Sequence, residues 1–196
     1  MPLLEASRSV TLVVDMQGKL MEMIHRPQLT IEATCRLLRI SDLFAVPVLL
    51  TEQYPKGLGP THPRVLARFE ALEVAHRLFE KDAFGCCSES GFAAALDELR
   101  PTSESEPRQV VVAGIEAHVC VVQTVIALIE GGDEVHVCWE CVSGRGEEYR
   151  DWALQRMQQA GATITNHESV AFEWARDKNH PRFKELSALL REGQLT

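Results

Sequence analysis

A chain of 196 residues that is 45% apolar is long enough for one domain, spanning 1–196, with a full-sized core. Its formal charge of −8, with no local lysine and arginine cluster to offset it, argues against nucleic acid or an anionic membrane as partner, because phosphates call for a basic face. The opening MPLLEASRSV lacks the charged start and long apolar core of a secretory signal, and no apolar run nears the roughly 20 residues of a membrane span. The sequence therefore predicts a soluble cytoplasmic protein whose six cysteines stay reduced.

In chain order, Ser9–Val14 (SVTLVV) reads as a buried strand, with Asp15 at its carboxyl end. Residues 30–45 carry helical spacing at Ile31, Leu37, Leu38 and Leu43, with Thr30 as N-cap. A second strand is expected over 46–50, its proline placed among the first positions. The proline- and glycine-rich TEQYPKGLGPTHPR that follows reads as a loop. Residues 63–72 lead, as helix or irregular segment, to a short strand over 77–79 that Glu80 and Lys81 end. Residues 90–99 are helical, and PTSESEP (101–107) is a polar surface loop.

The stretch 109–132, QVVVAGIEAHVCVVQTVIALIEGG, organises the rest. The run Val110-Val111-Val112-Ala113 is the mark of a strand buried on both faces of a parallel sheet, and Gly114 ends it. A second apolar run, 119–129, reads as a helix closed by Gly131 and Gly132. Cys120 then falls in the first turn of a helix, just past the carboxyl end of a central strand, where an open α/β sheet places its ligands. The unpaired N–H groups and positive dipole end there would favour a thiolate. This helix is apolar nearly all round, so it needs cover on more than one side, which predicts a subunit interface and a homo-oligomer. Beyond it lie a strand over 134–139, a helix over 146–160, a strand over 162–165 and two short helices. Such alternation predicts a three-layer α/β/α domain around a six-stranded parallel sheet.

Asp15, Lys81 and Cys120 all fall at strand ends, and in a parallel sheet those ends share one edge. A thiol nucleophile needs a base for its proton and a positive neighbour, and Asp15 and Lys81 offer those roles. The plainer reading stays open on spacing alone: Asp15 capping a turn, Lys81 solvated, Cys120 a small buried hydrophobe.

Four blocks carry a resemblance: VVDMQGKL (13–20), TEQYPKGLGPT (51–61), FEKDAF (79–84) and AGIEAHVCVVQT (113–124). In this order they resemble the isochorismatase-like cysteine hydrolase family, and its isochorismatase-domain-containing branch in particular. The resemblance implies that fold, and a catalytic triad of Asp15, Lys81 and Cys120. It also implies a non-proline cis peptide between Ile115 and Glu116, which turns N–H groups of Ala117 and Cys120 toward one oxyanion site. The implied reaction is acyl transfer on a small carbonyl or amide substrate: Asp15 takes the thiol proton, Cys120 attacks, Lys81 steadies charge, and water cleaves the thioester. Vinyl ether cleavage with Asp15 as general acid, or a non-catalytic binding or scaffold role on the same fold, are the alternatives.

Gln17, Tyr54, Phe84 and His118 lie in the matching loops and are expected to line the substrate pocket. His118 cannot serve as base, because near neighbours on a helix do not face each other. Nicotinamidases of the family bind metal through an Asp-x-His segment, whereas residues 51–62 hold one histidine, His62, and no such segment; no metal and no cofactor are expected. Cys138-Trp139-Glu140-Cys141 is a CxxC that leaves a strand instead of opening a helix, so packing is favoured over redox or zinc chemistry. Cys86 and Cys87 read as pocket-edge or core thiols.

Overall fold

The structure is a computed structural model that describes residues 2–192. Its strands are β1 (Ser9–Val14), β2 (Val48–Gln53), β3 (His76–Lys81), β4 (Gln109–Gly114), β5 (Glu134–Val142) and β6 (Thr163–Thr165). They pair in parallel in the order β3-β2-β1-β4-β5-β6. Every residue of β1, β2 and β4 is buried, as their continuous apolar runs require of strands covered on both faces.

The helices are α1 (Gly18–Met21), α2 (Pro27–Leu43), α3 (Pro55–Leu58), α4 (Pro63–Glu70), α5 (Phe92–Leu99), α6 (Val122–Glu130), α7 (Glu147–Gln159), α8 (His167–Ala175) and α9 (Phe183–Arg191). One core forms where α2, α4, α8 and α9 cover the sheet with Ile31, Leu37, Val65, Trp174 and Leu186. The other forms on the opposite face with Phe92, Leu96, Val125, Ala153 and Met157 from α5, α6 and α7. The three layers and the six parallel strands are those the alternating pattern predicts.

The chain winds outward from β1 to β3, then returns to lay β4 on the other side of β1. The point where the winding reverses lies between β1 and β4, which is where a doubly wound sheet opens a crevice at its carboxyl edge. Gly114 sets how closely the two strands end. Its φ is 126°, and a Cβ there would lie 2.1 Å from the Val14 carbonyl oxygen. Only glycine fits.

Two elements depart from expectation. β2 starts at Val48 and carries Thr51, Glu52 and Gln53, which read as loop because they are polar; each is buried and hydrogen-bonded. The segment holding Cys120 is a five-residue π-helical turn, Ala117–Val121, that runs into α6. The apolar character of α6 is largely consumed within the chain. Val122, Val125 and Leu128 are buried in the second core, leaving Ile126, Ala127 and Ile129 half-covered.

Candidate active site

β1 delivers Asp15 just past its end, in a left-handed backbone conformation (φ 50°) that an aspartate tolerates better than most residues. Its carboxylate is wholly buried. Lys81 Nζ donates to Oδ2 at 2.6 Å, and the Thr51 hydroxyl donates to Oδ1 at 2.7 Å. Lys81, the last residue of β3, is equally buried, and its ammonium also donates to Gln53 Oε1 at 2.8 Å and to the carbonyls of Ala83 and Phe84 at 3.0 and 3.1 Å. Those acceptors exceed its three protons, so Lys81 is held in place as a fixed positive charge beside Asp15.

Cys120 completes the group. It is buried, 6% exposed, within electrostatic reach of Asp15 and Lys81. Burial pushes this thiol well above the usual thiol range; the Asp15 carboxylate pushes it further up, against the opposing pull of Lys81. Burial and the Asp15 carboxylate thus act against the resting thiolate expected at a helix start, and Lys81 acts for it.

The loop residues sort differently. Gln17 is fully buried and spends its amide on backbone: it donates to the carbonyls of Gln53 and Gly59 at 2.9 and 2.6 Å and accepts from Gln53 N–H at 2.8 Å. It braces the ends of β1 and β2. Tyr54 and Phe84 are more than half exposed at the rim. The Phe84 carbonyl, not its ring, reaches Lys81. His118 stacks on Tyr149 with ring centroids 4.8 Å apart.

The Ile115–Glu116 peptide is cis. Beyond it Glu116 is buried and takes a two-pronged hydrogen bond from Arg145, at 2.9 and 3.1 Å. The Ala117 N–H donates to the Ser143 carbonyl at 2.7 Å. In this structure that N–H is engaged within the chain and not turned toward Cys120 as an open donor. Sequence reasoning missed Thr51, Gln53 and Arg145, which hold the base, the lysine and the turn. Their signal was charge and hydrogen-bonding capacity in segments read as loops.

A model of the isochorismatase domain matches residues 9–169. The chain belongs to that family. Among its isochorismatase relatives, isochorismatase domain-containing protein 2 of Danio rerio is 37% identical over 187 residues, covering 95% of this chain and 89% of the relative. Isochorismatase family protein 1B of Dictyostelium discoideum is 31% identical, over 94% of this chain and 86% of its own. Of solved structures, the MAR1 ribonuclease of Caenorhabditis elegans superimposes with a TM-score of 0.84 at 32% identity, over 96% of this chain and 92% of that one. The nicotinamidase of Staphylococcus aureus shares the fold at 16% identity, with a TM-score of 0.69 over 82% of this chain and 99% of that one. Membership gives the chain the isochorismatase fold, which that nicotinamidase shares.

Within this isochorismatase fold, Cys86 is a second buried thiol near the group, its Sγ 3.9 Å from Thr51 Oγ1. Burial, aided by Asp15, pushes it up to about 11. A thiol that holds its proton more tightly folded than unfolded contributes full stability below the ordinary value of 9.0 and loses it as pH rises toward the folded value. Thermal unfolding should thus move to lower temperature between about pH 9 and 11, by roughly 1.4 kcal/mol per pH unit for each such thiol. Calorimetry on Cys86→Ala should show a shallower decline over that window; an unchanged slope would contradict it.

Proposed function

We propose that the protein is a cysteine hydrolase of small neutral amides or related carbonyl compounds. The observation that carries this reading is a buried thiol within electrostatic reach of a carboxylate that is itself fixed by a buried ammonium. As Cys120 Sγ attacks the carbonyl carbon, Asp15 accepts the thiol proton, and Lys81 offsets the charge that develops. The proton passes from Asp15 to the leaving amine as the C–N bond breaks. Water, deprotonated by Asp15, then cleaves the thioester and restores the thiol. The Cys120 N–H is the donor retained for the oxyanion. Vinyl ether cleavage would need Asp15 to start with a proton of its own, whereas in the resting site two donors already engage its oxygens; in acyl transfer it passes on only the proton taken from the thiol.

A cleft of about 300 Å³ beside the site is lined by Tyr54, Lys56, Glu80, Lys81, Asp82 and Glu89, and with the Lys81 side chain buried against Asp15 its carboxylates outnumber its cations. The relative named a ribonuclease raises phosphodiester cleavage as a second reading, but this rim and the net charge of −8 count against a polyanion.

Intact-mass measurement during turnover of a panel of small amides and esters provides the test. Wild type should gain the mass of the acyl group at Cys120, and Cys120→Ala should lose both adduct and activity. Retention of the wild-type rate in Cys120→Ala would end the proposal.

A further inference from the structure

Lys81 and Cys120 sit on separate elements, and one buried hydroxyl joins the segments that carry them. After Lys81 ends β3, the chain runs as a loop, 82–85, into a short helical turn, Cys86–Ser88. The first half of the loop is held from two sides. Glu89 accepts from the Asp82 and Ala83 N–H groups, at 2.8 and 3.0 Å, and the Lys81 ammonium donates to the Ala83 and Phe84 carbonyls. The second half reaches across to α6, where it meets Thr124.

Thr124 is wholly buried, one turn beyond Cys120. Its hydroxyl has a single proton and donates it to the Cys120 carbonyl, four residues back, at 2.7 Å. The lone pairs that remain accept the Cys86 N–H at 3.0 Å. The Thr124 carbonyl takes the Cys87 thiol at 3.9 Å. The approach here is close, since a Cβ added at Gly85 would lie 3.2 Å from Gln123 Cβ. Main chain on the lysine's loop and main chain at the cysteine are thus tied through one oxygen atom.

A threonine that only bonds back to the carbonyl four residues before it adds little to a helix. The second bond is what this side chain contributes. Valine has the same shape, so it would keep the packing but leave the buried Cys86 N–H without this acceptor. A misplacement of about 1 Å can cost a reaction about a hundredfold in rate, so such a tie matters to chemistry. We infer that Thr124 is a positioning residue, which holds the turn bearing Cys120 against the Lys81 loop and so fixes the sulfur relative to Asp15 and Lys81. This role rests on the proposed cysteine chemistry and is exerted through the Cys120 main chain.

Thr124→Val and Thr124→Ser in the full chain test it, with two readings. One is steady-state kinetics on an amide or ester that wild type turns over; the other is iodoacetamide labelling of Cys120, which needs no substrate. Well below its unfolding midpoint, Thr124→Val should lower kcat by about tenfold to a hundredfold, with KM within about threefold of wild type. It should also label Cys120 about threefold faster or more at pH 8, because a freed turn relaxes the burial that pushes the thiol up. Thr124→Ser keeps the hydroxyl and should restore both readings to within about twofold of wild type. Thr124→Ala gives the same comparison if the valine variant does not fold. Wild-type kcat and labelling in the valine variant would overturn the inference, even if its unfolding midpoint falls, and so would a loss confined to KM. Wild-type turnover by Cys120→Ala would instead end the cysteine mechanism, and the labelling comparison would still decide whether Thr124 holds the turn.

Discussion

Asp15→Asn should lower turnover roughly 10²- to 10⁴-fold, the usual worth of a positioned general base, while making Cys120 easier to alkylate. The two effects have one cause. On the proposed mechanism the Asp15 carboxylate receives the thiol proton, and by its charge it also raises the thiol's hold on that proton; burial is the larger influence, but asparagine leaves burial alone. With the carboxylate gone and the Lys81 ammonium no longer shared, the thiol should ionise at lower pH. Iodoacetamide labelling of Cys120, read by peptide mass at pH 8, should accelerate by on the order of tenfold for each unit its pKa falls. Asparagine accepts the left-handed backbone at this position, so the fold should survive. Slower labelling in the variant would show that Asp15 activates a resting thiolate instead.

Lys81→Ala should carry the larger cost in stability. It removes one member of a fully buried ion pair and strips hydrogen bonds from Asp15, Gln53 and the carbonyls of Ala83 and Phe84. Breaking such a pair typically costs about 3–5 kcal/mol, because the surviving charge is left buried and unpaired. For a domain of this size that lowers the unfolding midpoint by about 10 °C. The double variant Asp15→Ala/Lys81→Ala should lose less than the sum of the single losses, since it leaves no orphaned charge. A midpoint within two or three degrees of wild type for Lys81→Ala would mean that water reaches the pair.

The frame of the molecule was legible because its signals were local. Val110, Val111 and Val112 mark a strand covered on both faces, and strand ends alone placed Asp15, Lys81 and Cys120 on one edge. What escaped depended on partners distant in sequence. Thr51, Glu52 and Gln53 look like loop residues until Asp15, Thr61 and Gln17 are brought beside them to satisfy their polar groups. Gln17 looked like a ligand contact because nothing nearby in sequence shows that the end of β2 and the Gly59 carbonyl consume its amide. The Ala117 N–H is claimed by Ser143, 26 residues on in the chain. The direction of the Cys120 shift escaped for a related reason: helix-end electrostatics are visible in sequence, but the depth of burial that opposes them is not.

The tight seat of Gly114 against Val14 has a consequence for how the chemistry is calibrated. Asp15 follows directly on Val14, and the turn bearing Cys120 follows on Gly114, so the reach between base and nucleophile is gauged by main chain touching main chain. Such a contact cannot drift as side chains are exchanged elsewhere in the core. On the proposed reading, substrate preference is free to change through exposed residues such as Tyr54 and Phe84 without retuning the distance between Asp15 and Cys120.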